Sequence, residues 1–354
     1  MRNLIWLSMP KFYSLLWVKG NDYYDALFYP VEAGDKAHIK ELQRAKEGGF
    51  IVVEENKAPL VCNSVEELDS DGEVLVVPGV GSSSLGAAAF AREVLENMAS
   101  FDPNIRKVMG VVVGYGSDDI VSEGMEGWFN FSHPERMSQL YDHMVKVGNA
   151  SNPYANLFSM KTFFQNQRND FQQGCLEVSN IIKLLSKQNI KYIVAHSKGS
   201  LVTALALEKY AEIEASGTGK TKLSALTVIT LGAVSEMPTS LKGCFQFLGD
   251  NDHLGEVNSS FGEPYIVLKN TGHSLSKKSQ TAEYCHGCKH RNAKYLCYSQ
   301  HHFASWLGLF QGKAFDLNPP CSLFEKDESC KPIEIEKVFK SIGYLSLAEA
   351  ALSS

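Results

Sequence analysis

The chain has 354 residues, of which 44% are hydrophobic and 21% are charged, and its formal net charge at pH 7 is −6. This composition is typical of a globular protein with one large core and some insertions. The negative balance gives no overall basic surface for nucleic acid. No stretch of about 18 uninterrupted apolar residues occurs, so we expect no membrane span.

Residues 1–70 are expected to form an N-terminal extension packed on the core. Their first apolar run is interrupted by Pro10 and Lys11 before it reaches the length of a signal peptide. We therefore expect a cytoplasmic, reducing location, where the eight cysteines stay thiols or bind metal in preference to forming disulfides. Residues 50–53 are apolar and β-branched, which predicts a strand.

Residues 73–113 have the pattern of a parallel sheet. A strand-like run at 73–77, apolar from residue 74 onward, leads into Pro78-Gly79-Val80-Gly81. An alanine-rich helix with Ser84 as its candidate N-cap then extends to about residue 98. A second apolar run follows at 108–113. Strand, helix and strand in this order predict a βαβ unit.

The stretch at 117–160 interrupts the alternation of predicted strands and helices. It mixes aromatic residues and methionines with acidic and polar ones. Two interpretations stay open, a cap or lid insertion and a long connection with its own small cluster. Residues 158–188 then repeat apolar positions at intervals of three, four and seven, which predicts an amphipathic helix.

A short buried strand at 192–194 runs into Ala195-His196-Ser197-Lys198-Gly199, and an apolar helix follows. The turn needs small residues two places before and two places after the serine, because the backbone doubles back there. Such a turn holds the serine at the carboxyl end of the sheet with a helix N-terminus behind it. The plain alternative is a strand-to-helix turn with a capping serine.

Two later strand ends carry candidate partners for this serine. Strands are predicted at 223–231, 243–248 and 264–269. The second of them is followed by Gly249-Asp250-Asn251-Asp252, and the third by Asn270-Thr271-Gly272-His273. All three candidate residues thus lie at the ends of predicted strands.

These features resemble the α/β-hydrolase superfamily, and Ala-His-Ser-x-Gly is similar to the elbow of compact bacterial lipases. The resemblance implies an α/β fold with a mostly parallel sheet flanked by helices. The implied core spans 71–314, with 117–160 as the cap or lid and 315–354 as a C-terminal tail. Neither the resemblance nor the glycines at 79 and 81 call for a nucleotide cofactor.

The resemblance also implies a role for each site residue. Ser197 would be the nucleophile, His273 the general base, and Asp252 the acid that orients the histidine, in the chain order of this superfamily. Asp250 is the alternative acid. The backbone N–H groups of Val80 and Lys198 would form the oxyanion hole.

The implied activity is that of a serine hydrolase that cleaves a carboxylic ester through an acyl-enzyme, with no cofactor required for catalysis. Its substrate would be a small-molecule or lipid ester. Thioesters and amides stay open, because the same three residues serve all of them. The rival prediction is an inactive hydrolase fold used for binding.

A cluster of cysteines and histidines at 285–302 is separate from these motifs. Cys285, Cys288, Cys297 and His301 have the spacing Cys-x2-Cys-x8-Cys-x3-His, which could close a tetrahedral zinc site. Free thiols and disulfides are the alternatives. A zinc-stabilised interaction surface is thus a third interpretation of what the protein does.

Overall fold

The computed structural model describes residues 25–26, 28–68, 72–79, 82–98, 101–113, 176–250, 252, 255, 259, 263–276 and 331–352, with side chains described as far as residue 343. The predictions for the cap at 117–160, the cysteine–histidine cluster at 285–302 and the N–H of Val80 lie outside these residues. The division into an extension, a core and a tail stays a prediction.

One sheet of eight strands forms the centre of the described structure, in the spatial order β2-β1-β4-β3-β5-β6-β7-β8. Strand β1 runs antiparallel to both of its neighbours, β2 and β4, and the strands from β4 to β8 in that order are parallel. The strands are β1 Phe50–Glu54, β2 Leu60–Cys62, β3 Val74–Val77, β4 Lys107–Val111, β5 Tyr192–His196, β6 Thr227–Leu231, β7 Gly243–Gly249 and β8 Ile266–Leu268.

Helices cover both faces of this sheet. They are α1 Ala33–Ala37, α2 Ile39–Leu42, α3 Ser84–Met98, α4 Leu176–Lys187, α5 Lys198–Ala215 and α6 Ile335–Leu352. Helices α3 and α6 contribute to one apolar cluster, and α4 and α5 contribute to the other. The predicted fold class, a mostly parallel α/β sheet flanked by helices, is confirmed by this arrangement.

Strand β3 shows why these sequences form central strands. Its four residues are fully buried, and they alternate between the two clusters, with Val74 and Val76 on one face and Leu75 and Val77 on the other. A strand covered on both faces needs apolar residues at every position, which is the pattern that predicted it. Burying each such side chain stabilises the fold by about 1.5–3 kcal/mol.

Some local predictions are corrected by the structure. The strand predicted at 223–231 begins only at Thr227, because residues Leu223–Ala225 form a 3-10 turn. Helix α3 already begins at Ser84, so the capping residue is Ser83, whose Oγ accepts the N–H of Leu85 at 3.1 Å.

The last described element, α6, packs against α3. Its residues Val338, Phe339 and Ile342 are buried in the same cluster as the alanine-rich face of α3. Residues 335–352, which lie within the predicted tail at 315–354, therefore form a helix that packs against α3. No helix in the described ranges is long and apolar enough to cross a bilayer.

Candidate active site

Ser197 lies in the turn between β5 and α5 with φ 54° and ψ −126°. A positive φ at a residue with a side chain is strained, by roughly 1–3 kcal/mol, and such strain is typical of functional sites. The backbone holds it in place, because the Ser197 N–H donates to the carbonyl of Leu231 at 2.8 Å. The serine is thus fixed at the carboxyl end of the sheet, as the turn pattern predicts.

The tight turn leaves no room for larger residues nearby. A Cβ on Gly199 would lie 2.1 Å from the backbone oxygen of Val77 and 2.5 Å from that of Pro78. A Cβ on Gly79 would lie 2.9 Å from the Cβ of Ser197. The α5 N-terminus and the loop after β3 can therefore approach each other only because both positions are glycine.

The structure brings the three predicted side chains together. His273 Nε2 lies 2.9 Å from Ser197 Oγ, and His273 Nδ1 lies 2.7 Å from Asp252 Oδ1. All three side chains are buried. Their positions follow from the topology, because β5, β7 and β8 are parallel and their carboxyl ends lie at the same edge.

The hydrogen-bond donors and acceptors fix the direction of this chain. A carboxylate can only accept, so His273 Nδ1–H donates to Asp252 and Nε2 is left to accept the proton of Ser197. Asp252 is held by two backbone contacts: its own N–H donates to Gly249, and Oδ1 accepts the N–H of Gly255 at 2.7 Å. The arrangement is that of a nucleophile, a base and an orienting acid.

Gly232 makes room for the acid and the base. It directly follows β6 and has φ +67°, and a Cβ there would lie 2.9 Å from Asp252 Oδ2 and 3.0 Å from His273 Nδ1. Gly232 is not among the site residues predicted from the sequence. A glycine directly after a predicted strand was the available signal.

Asp250, the alternative acid, has a different contact. Its side chain accepts the backbone N–H of Thr271 at 3.2 Å, and the residue is exposed. It therefore joins the loops that follow β7 and β8. A hydrogen bond connects Asp252 to the histidine ring, whereas the Asp250 side chain accepts from the backbone of Thr271.

His196 is a second histidine of the site, and it lies directly before the serine. Its Nε2 lies 2.8 Å from the backbone oxygen of His273, and its Nδ1 lies 3.1 Å from the hydroxyl of Tyr29. Burial, and after it the neighbouring ring of His273, lowers the pKa of His196 to about 3. A neutral, fully engaged imidazole here is a structural partner of the base.

Lys198 begins helix α5, so its backbone N–H belongs to the first turn, whose N–H groups point out of the helix N-terminus. Its side chain lies on the other side, where Nζ is 3.4 Å from Glu177 Oε1 in a buried ion pair. The pair joins the start of α5 to the first turn of α4.

Comparisons with known proteins add little to this geometry. No family model and no curated protein matches the chain. One similar solved structure is a dienelactone hydrolase-like promiscuous phosphotriesterase from metagenomic libraries. The two are 13% identical with a TM-score of 0.30, over 69% of this chain and 88% of the other. With so low a TM-score, the likeness says nothing about function, and the site geometry is what remains.

Proposed function

We propose that the protein is a serine hydrolase that cleaves carboxylic esters through an acyl-enzyme. The observation that carries this proposal is the hydrogen-bonded series from Ser197 through His273 to Asp252, with distances of 2.9 and 2.7 Å. Two further features support it: the strained, buried serine in a strand-to-helix turn, and the helix N-terminus behind it.

In the first half of the proposed reaction, Ser197 Oγ attacks the ester carbonyl carbon and His273 Nε2 takes the hydroxyl proton. The Asp252 carboxylate stabilises the resulting imidazolium. The negative oxygen of the tetrahedral intermediate is bound by the N–H groups of Val80 and Lys198. When the intermediate collapses, the C–O bond to the alcohol breaks, and the alcohol leaves with the proton from His273.

In the second half, water attacks the acyl-enzyme with His273 as the base. The bond to Ser197 Oγ then breaks, the serine recovers its proton, and the carboxylic acid leaves. Every proton is carried by His273, so no cofactor takes part in these steps. The same series of steps would cleave a thioester or an amide.

Steady-state hydrolysis of nitrophenyl esters of increasing acyl length tests this function. We expect turnover by the wild-type protein and a loss of at least about 10³-fold in kcat in Ser197→Ala, because the nucleophile is removed. Ser200→Ala is the matched control, since Ser200 is another buried serine in the first turn of α5. It should keep kcat.

Two outcomes would contradict the proposal. Equal kcat values in Ser197→Ala and the wild-type protein would mean that another group carries the reaction. A wild-type protein that cleaves neither oxygen esters nor thioesters of any length would instead favour the binding-protein interpretation.

A further inference from the structure

A short segment near the start of the described chain contacts three parts of the site. This anchor segment comprises residues 25–26 and 28–31. Its backbone oxygens at Phe28 and Ala26 accept the Leu275 N–H and the Ser276 hydroxyl, each at 2.8 Å. The loop that carries His273 is thus attached to it.

Tyr29 lies at the centre of the anchor segment. Its side chain is almost completely buried, with 1% of its surface exposed. Its hydroxyl oxygen accepts the backbone N–H of Gly79 at 2.6 Å and lies 3.1 Å from His196 Nδ1. The ring packs against Phe90 with 5.5 Å between centroids.

The directions of these hydrogen bonds are determined by the acceptors. The backbone oxygen of His273 can only accept, so His196 must carry its proton on Nε2. Nδ1 of the neutral ring then accepts, and Tyr29 donates to it. Because the pKa of His196 is lowered to about 3, the ring stays neutral near pH 7, and the carbonyl acceptor at Nε2 selects this tautomer.

The resulting series of hydrogen bonds connects the residue beside the proposed oxyanion donor to the backbone of the proposed general base. It runs from Gly79 to Tyr29, then to His196, and ends on the backbone of His273. Gly79 directly precedes Val80, the proposed oxyanion donor, and lies against Ser197. The Tyr29 hydroxyl therefore bonds Gly79 directly, and it is linked to the backbone of His273 through the ring of His196.

A second contact holds the far end of the oxyanion loop. The buried carboxylate of Asp25 accepts the backbone N–H of Ser83 at 3.1 Å and also bonds the Ser83 hydroxyl. The oxyanion loop is the stretch 79–83, whose first residue is Gly79 and whose last is Ser83, so the anchor segment binds both of its ends. A buried polar group normally has such partners, because leaving it without one is costly.

We propose that Tyr29 is a positioning residue of the active site, whose hydroxyl sets the placement of the oxyanion loop at Gly79 and of the His273 backbone through His196. This inference rests on the serine-hydrolase function proposed above. Tyr29 does not touch the reacting atoms, and it acts only through the residues that it holds.

The test is Tyr29→Phe, which keeps the ring and its packing on Phe90 but removes the hydroxyl. A misplacement on the order of 1 Å can reduce a rate by about 10²-fold. We therefore expect kcat for a nitrophenyl ester to fall by about 10- to 100-fold, with KM changed less than about threefold. In ¹⁵N-histidine spectra, the Nδ1 resonance of His196 should move, because it loses its donor.

Tyr210→Phe is the matched control. Tyr210 is equally buried, on the sheet face covered by α4 and α5. Its hydroxyl donates to the backbone oxygen of Thr221 at 2.8 Å and lies 3.0 Å from that of Leu185. It should lose thermal stability and keep kcat. Both variants are assayed well below their unfolding midpoints, so a purely structural effect of Tyr29→Phe would give the same result as the control.

His196→Asn provides a second, independent variant. If Tyr29 acts through His196, the losses in kcat from the two substitutions should be less than additive in the double variant. Should Tyr29→Phe fail to fold, His196→Asn alone must still lower kcat at unchanged KM.

The inference would be overturned by full kcat in folded Tyr29→Phe, or by fully additive kcat losses in the double variant with His196→Asn. In either case, turnover by the wild-type protein would leave the proposed hydrolase function intact. If the wild-type protein itself cleaves no ester, the proposed function fails first and the inference fails with it.

Discussion

Asp252→Asn is the substitution whose effect the structure defines most closely. Oδ1 of Asp252 accepts two N–H groups, those of His273 and Gly255, each at 2.7 Å. An amide nitrogen in this position would face two donors, so the asparagine should keep its oxygen there. The histidine then retains its tautomer, and what is lost is the negative charge beside the imidazolium.

The magnitude follows from the separation of these charges. For charge centres about 4 Å apart at an effective dielectric constant of about 20, the Coulomb energy is about 4 kcal/mol. This energy stabilises the transition state, in which His273 is cationic, and contributes little in the ground state, in which it is neutral. A loss of about 4 kcal/mol corresponds to a decrease of about 10³-fold in kcat.

The assay is steady-state hydrolysis of a nitrophenyl ester, with circular dichroism to verify folding. KM should be nearly unchanged, because the carboxylate does not contact the substrate. Asp250→Asn is the control, since an asparagine oxygen can still accept the Thr271 N–H, and its kcat should stay within a few-fold of wild type. A larger loss in Asp250→Asn than in Asp252→Asn, with both folded, would refute the reasoning.

Three further predictions concern neighbouring groups. Glu177→Ala removes the carboxylate from the buried ammonium of Lys198, and urea unfolding should show a loss of about 3 kcal/mol. Gly232→Ala should lower kcat because its methyl group would press on the acid–base pair, whereas Gly217→Ala, at a similar φ with open space around it, should lower stability alone. The pKa of His196 is about 3 in the folded protein and about 6.5 in the unfolded chain. The neutral ring's contribution to the free energy of unfolding is therefore complete above pH 6.5. It is lost as the pH falls toward 3, by about 1.4 kcal/mol per pH unit.

Each of these has an outcome that would contradict it. Unchanged unfolding of Glu177→Ala would mean that the ion pair does not stabilise the fold. Equal kcat values for the two glycine variants would remove Gly232 from the site. If the stability difference between wild type and His196→Asn does not shrink between pH 7 and pH 4, His196 is not a buried neutral group.

The parallel sheet and the meeting of Ser197, Asp252 and His273 could be predicted from the sequence because both depend on local patterns. Buried central strands must be apolar at every position, and the carboxyl ends of parallel strands share one edge. Candidate residues that directly follow such strands are therefore brought together by topology alone. Their catalytic roles stay a proposal.

Features that depend on distant contacts could not be predicted in this way. Tyr29 and His196 are 167 residues apart in the chain, and no spacing or periodicity relates them. Helix α6 was hidden for a related reason, because its apolar face is explained only by α3, which lies far before it in the sequence. The helix begins at Ser84, one residue earlier than predicted, and this shift makes Ser83 the capping residue.

The central claim is that Ser197 is the nucleophile, and covalent labelling tests it most directly. The wild-type protein is treated with a fluorophosphonate, digested, and mapped by mass spectrometry, with Ser197→Ala treated in parallel. We predict one adduct per chain, on the peptide that contains Ser197, and none in the variant. An adduct on another serine, or equal labelling of Ser197→Ala, would contradict the claim.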